Sequence, residues 1–485
     1  MMTLSVANPE QWNTEYDAAS VKQQYDMLLD ALSQPLTPDL IEDLDLGLLL
    51  AMMRDELVHK NQLEKAVALL HVLHQQQPEF HQAEFPFLDS LLIEYFLYKN
   101  DLEQVREGLG QFLLNPVEDI DQTLMTLDYL KLYDARDLAI ELCQAAYEPV
   151  KDSPMVIRGT EMEFSNVLLY DRMQRAYEQL QQDESVDWDA FLEETVRYGF
   201  PKKPKWIAEI QQSLTTEVEK NPAFLAQFKR DRAAALRTLS IGFYQYMAKQ
   251  KQMSFVCSYA IWKSVVNFLD NRQIPNKKLS QPELYFAFEQ DDLDYTVHQM
   301  IGGLLSMTQA IGFGLLWGMS YVYDFLLAKQ MISDQVHQQA MTGIHDLKSA
   351  IVEDYPKLWR FDFVHRWQPP DSVSAEEFAA EASRFAASLE PVEPLSDEPG
   401  GGLTEQSFID SLKRHMPPDV QEALAQLMAK EDNFAEADEE EYVPPIVRFQ
   451  EPDYDYEPPK KPKSALKLAS ELPDKTPKSS KRKKR

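Results

Sequence analysis

Glycine, cysteine and cations are all scarce in this chain. Its 485 residues include 15 glycines and 2 cysteines. Scarce glycine argues against a turn-rich all-β fold, and the abundant Leu, Ala, Gln, Glu and Met favour helices. Cys143 and Cys257 both fall in apolar helical patterns, so they read as buried free thiols of a reducing compartment rather than as a disulfide or metal ligands. Only 48 Lys and Arg stand against 79 Asp and Glu, a formal net charge of −31. That balance disfavours nonspecific contact of the whole molecule with nucleic acid or anionic lipid. Catalytic signatures are missing too. There is no phosphate-binding GxxxxGK loop, no GxSxG and no HExxH. Gly400–Gly402 follows Pro399 in an acidic stretch that would repel a phosphate. The N-terminus lacks a basic region followed by an apolar core, so no secretory signal is expected. The chain reads as a non-enzyme without a cofactor, cytoplasmic, or nuclear in a eukaryote.

What is present is helical periodicity in pairs. The segments 60–78, 99–116 and 133–149 each open with a polar turn, run into an amphipathic helix and reach a proline, which helices carry readily just beyond their ends. Apolar helices at 46–58, 87–98 and 121–133 precede them. Ala66, Val105 and Ala139 hold the same place in the second helix of each pair, at steps of 39 and 34 residues. A period in this range marks helical-hairpin solenoids, in which stacked neighbours bury jointly what one hairpin cannot bury alone.

These residues resemble the tetratricopeptide repeat family. Ala66, Leu70 and Pro78 match the small, bulky and proline positions of its second helix. Leu50, Met53 and Leu57 stand where its first helix prefers Trp, Leu and Tyr, with Arg54 in place of the family glycine. The second unit carries Leu88, Leu91 and Tyr95, with Val105 for the small residue and Leu109 one turn on. The resemblance implies an α-solenoid whose surface holds an extended peptide or helix of a partner protein.

The expected fold is therefore all-α: TPR-like repeats over 19–200, then, after the PKKPK break, a separate helical bundle or an irregular continuation of the solenoid over 206–370. A linker is expected over 371–403, with a short Ala-rich helix inside it, then a small helical hairpin over 404–430. Residues 431–485 have the composition of disorder, acidic then basic. The segment 300–323 is long and apolar enough to span a bilayer, and Gly314 and Gly318 form a GxxxG pair. Its middling hydrophobicity and acidic flank favour a buried helix, with a membrane-anchored adaptor as the rival reading. His59, His71, His74 and His81 crowd the first repeat, but without Cys or HExxH support they read as helix histidines, not metal ligands. Gln309, His298 and Asp324 are the polar residues around which an active site hidden in 206–370 would form.

The leading functional expectation is a protein–protein interaction scaffold or adaptor. The alternative is a nucleic-acid-associated regulator acting through the C-terminal cations Lys481, Arg482, Lys483, Lys484 and Arg485, which would bind a polyanion with strong salt dependence. The same tail can instead fold back on the acidic run before it.

Overall fold

Three turns of one kind join helices into pairs. Asn61, Asn100 and Asp134 adopt left-handed φ of 58°, 56° and 56°. Asn and Asp tolerate this conformation better than other non-glycine residues. In each turn the next amide reaches back five residues: Gln62 N to Leu57 O (2.7 Å), Asp101 N to Phe96 O (2.9 Å) and Ala135 N to Leu130 O (2.9 Å). This is the Schellman closure, which satisfies carbonyls left open at a helix end. The helices so joined in the computed structural model are Leu46–His59 with Leu63–Gln76, Pro78–Lys99 with Leu102–Gly108, and Ile120–Leu132 with Arg136–Asp152.

The structure describes residues 6–272, 274, 279–301, 308–355, 358–387, 392–398 and 402–404. Among them the fold is all-α, with short helices packed in pairs and no strand. They belong to one unit, Met1–Met416. Nearly all of the expected hairpin at 404–430, and the whole tail at 431–485 with Lys481, Arg482, Lys483, Lys484 and Arg485, lie outside the described residues.

Three local expectations are corrected. Pro149 does not end its helix but sits inside Arg136–Asp152. In the last turn a proline removes one intrahelical bond without stopping the chain. The helix expected from residue 87 begins at Pro78 and runs through Pro86. The second helix of that hairpin is instead broken at Leu109, between Leu102–Gly108 and Gly110–Leu114. Glycines at 108 and 110 weaken helix continuity there.

The same closure recurs beyond the legible repeats. Asp183 (φ 58°) and Gln330 (φ 57°) end helices Glu161–Gln181 and Gln309–Ala328. Glu184 N and Met331 N reach back to Gln179 O and Leu326 O at 2.9 and 2.8 Å. Each turn leads into a following helix, Trp188–Arg197 and Asp334–Asp354.

Two apolar cores result. One runs from Val6 to Tyr95 and takes in Trp359 and Leu395 from far along the chain. The other runs from Phe85 to Phe385. They meet on helix Pro78–Lys99, which gives Leu88, Leu91 and Tyr95 to the first and Phe85, Ile93 and Leu97 to the second. The larger core passes without interruption across residues 200–206, where the composition suggested a boundary. The PKKPK break is only the entry to helix Pro204–Thr215, with Pro204 in its first turn, a position proline tolerates.

Helix Gln309–Ala328 is the centre of the larger core. It is long and apolar enough to cross a membrane, yet nearly all of it is buried inside the protein. The GxxxG pair is used for packing. A Cβ on Gly314 would lie 2.8 Å from a Leu132 methyl, and one on Gly318 would lie 2.5 Å from Ile261 Cγ2. Only glycine lets helices Ile120–Leu132 and Phe255–Asn271 approach this closely.

Candidate peptide-binding face on the N-terminal repeats

The five repeat positions singled out by sequence are all buried in the structure: Ala66, Val105, Leu109 and Ala139 fully, Leu70 almost so. They pack helix against helix and present nothing to a ligand. The site residues lie elsewhere, at helix ends, and follow from what helix ends leave unsatisfied.

Helix Val21–Leu32 starts at Ser20 with a capping box, in which Gln23 N donates to Ser20 Oγ and Ser20 N to Gln23 Oε1. A helix leaves its first four amides without intrahelical partners. The Lys22 amide is one of these, and it donates to Ser396 O at 3.2 Å. At the opposite polarity, helix Leu46–His59 ends at Lys60, whose open carbonyl accepts from Glu393 N at 3.1 Å. The non-helical segment 392–398 thus joins one open donor and one open acceptor on two different helices.

Side-chain amides complete the clamp. Gln62 Nε2 donates to Glu393 O at 2.5 Å. Gln24 is fully buried. Its Oε1 accepts from Leu403 N at 2.7 Å, and its Nε2 donates to Leu403 O at 3.0 Å and to Tyr16 O at 2.9 Å. A carboxamide has both a donor and an acceptor, so it can hold a backbone N–H and C=O together. Leu395 is only 5% exposed and joins the N-terminal core, and Leu403 packs against the same core. Gly402 passes so close that a Cβ would lie 2.5 Å from Ala19 O and 2.4 Å from Gln24 Nε2. Salt bridges Lys22–Asp397 (3.1 Å) and Lys60–Glu393 (3.3 Å) flank these contacts. Their carboxylates are exposed, so they steer more than they stabilise. Burial pushes the neighbouring Tyr16 phenol up, with Asp17 adding to the shift.

The linker expected over 371–403 is, at 392–398 and 402–403, chain seated on the N-terminal helices. Its composition hides this. Its Pro, Gly and acids do not continue a helix, but their main chain still needs partners, and it turns Leu395 and Leu403 toward the core while Val392 is exposed. Gln24 and Gln62 look like ordinary solvated glutamines in sequence, and no local pattern flags them.

The other expected constellations do not assemble. His74 stacks on His81 (4.5 Å), and His81 Nε2 lies 2.8 Å from Asp89 Oδ1. His71 lies against Phe96 instead, and His59 is an exposed helix end. Among the described residues no group of three His, Cys, Asp or Glu side chains is placed to hold a metal. His298 is exposed, Gln309 donates to Ile301 O, and Asp324 accepts from Ser372 while contacting His337 at 2.8 Å. The Ser372 hydroxyl therefore points at the carboxylate, not at the imidazole, so this trio lacks the nucleophile-to-base hydrogen bond. Cys143 and Cys257 are free and buried, and burial pushes both thiols up, away from reactivity.

One buried titratable cluster belongs to the larger core. Trp317 Nε1 donates to Glu381 Oε1 at 2.5 Å, and Lys348 Nζ lies 5.2 Å from the Trp317 ring centre. Burial lowers the Lys348 pKa against the pull of Glu381. His365 lies 3.6 Å from Glu381 with neither ring nitrogen hydrogen-bonded, and burial lowers its pKa to about 4.

The fold and face define an all-α protein of paired helices that holds a non-helical stretch of chain by its main chain. Compared with models of protein families, with curated proteins and with solved structures, the chain matches none.

Proposed function

We propose that this protein is an interaction scaffold whose N-terminal hairpins form a tetratricopeptide-like repeat and bind a segment of a partner protein. One observation carries this reading: open backbone groups at two helix ends, together with Gln24 and Gln62, hold non-helical chain at 392–398 and 402–404. A surface that satisfies a main chain in this way is chemically suited to peptides. The matched turns at Asn61, Asn100 and Asp134 support the repeat architecture.

Lysine-reactive cross-linking of the full-length protein in its native extract tests the proposal. The expected result is a partner joined at Lys22 or Lys60 that binds directly when purified and loses at least tenfold in affinity to the Gln24→Ala/Gln62→Ala variant. A partner that binds this variant as tightly as wild type would overturn it, as would recovery of no protein at these lysines.

A further inference from the structure

The segment on the repeats is part of the same chain, and this bears on what the face recognises. Resting on the scaffold reading, we infer that the chain at 392–398 and 402–404 is an internal ligand. The face selects acidic, non-helical peptides with two aliphatic anchors, and the resident copy must leave before a partner segment of that chemistry can enter.

Each element of the specificity is on the surface. Leu395 fills the N-terminal core, and Leu403 packs against the same core eight residues on. Between them, glycine at 402 is required by the approach to Ala19 O. Lys22 and Lys60 meet carboxylates at 397 and 393, so a basic peptide would face two cations. The remaining contacts are to main chain and accept any residue that is not helical. Nothing in this set is peculiar to an intramolecular contact. The host groups are helix-end amides and carbonyls and glutamine carboxamides, and a segment of another protein presents the same backbone.

Tethering sets the competition. A segment of the same chain competes at an effective concentration of about a millimolar. A free peptide with the same contacts then binds with its affinity reduced by the occupied fraction. Weakening the resident segment without touching the face removes that reduction.

The probe is a fluorescein-labelled peptide with the sequence of residues 390–405, EPVEPLSDEPGGGLTE, read by anisotropy on full-length protein. The opened variant is Leu395→Ser/Leu403→Ser, which alters only the resident segment. We expect it to bind the probe at least tenfold tighter than wild type. Adding Gln24→Ala/Gln62→Ala to the opened variant should remove that gain. Equal binding to wild type and opened variant overturns the inference, as does no binding to an opened variant whose helical circular dichroism and melting match wild type. A second measurement avoids any change to the protein. Excess unlabelled peptide added to wild type should speed amide hydrogen exchange at Glu393 and Leu403 several-fold, and unchanged exchange overturns the inference. If these tests fail while partner cross-links still map to Lys22 and Lys60, the ligand class falls and the scaffold reading stands. If the cross-links fail as well, both fall.

Discussion

The two cores are closed by opposite means. The larger one is closed by its own helices, with glycines of Gln309–Ala328 pressed against Leu132 and Ile261. The N-terminal one is closed in part by a remote segment, held through main-chain hydrogen bonds and Leu395. The first closure cannot be undone without unfolding, because no other atoms fit the space. The second uses groups that water or another peptide can satisfy, so it can open locally. Local openings with low free energies are where binding surfaces are found.

This contrast can be broken at several points. Gly318→Val should have the largest effect. Its side chain would enter the space of Ile261, and overpacking of this kind costs about 3 kcal/mol. Urea unfolding should show a lower midpoint, and an unchanged midpoint would mean that the central helix is not tightly packed.

Acid should strike the larger core next. His365 remains neutral in the folded protein down to about pH 4, against an ordinary 6.5. Between these values the unfolded chain takes up a proton that the folded chain refuses. Stability is therefore present above pH 6.5 and is lost as pH falls toward 4, by on the order of 2–3 kcal/mol from this group. His365→Phe should flatten that part of the stability–pH curve.

Gly402→Ala should act more gently and only on the N-terminal closure. The added methyl collides with Ala19 O, so the segment near 402 lifts away. Amide exchange at Leu403 should accelerate while the global unfolding midpoint moves little. Lys22→Ala should do least, under about 1 kcal/mol, because the Lys22–Asp397 pair is exposed. Measured at high salt, even that difference should vanish.

How much of this was legible depends on how local each cause is. The hairpins were legible because Asn61, Asn100 and Asp134 mark their turns at the same 39- and 34-residue steps as the buried Ala66, Val105 and Ala139. The later turns at Asp183 and Gln330 use the same geometry at an irregular spacing, so periodicity misses them. Pro86 and Pro149 mislead, since a local rule about proline yields to packing around the helix. Leu109 is apolar and in register, yet its neighbouring glycines end the helix beside it. The face that holds 392–398 was invisible for a different reason. Lys22 and Ser396, or Gln24 and Leu403, are joined only by tertiary structure, and what the segment offers is backbone that every residue shares.

The N-terminal helices hold residues 392–398 and 402–404 by their main chain. Amide hydrogen exchange of full-length wild type against Gln24→Ala/Gln62→Ala tests it most directly. The Glu393 and Leu403 amides should be protected in wild type and exchange fast in the variant, with the helices unchanged. Fast exchange of both amides in wild type would contradict it.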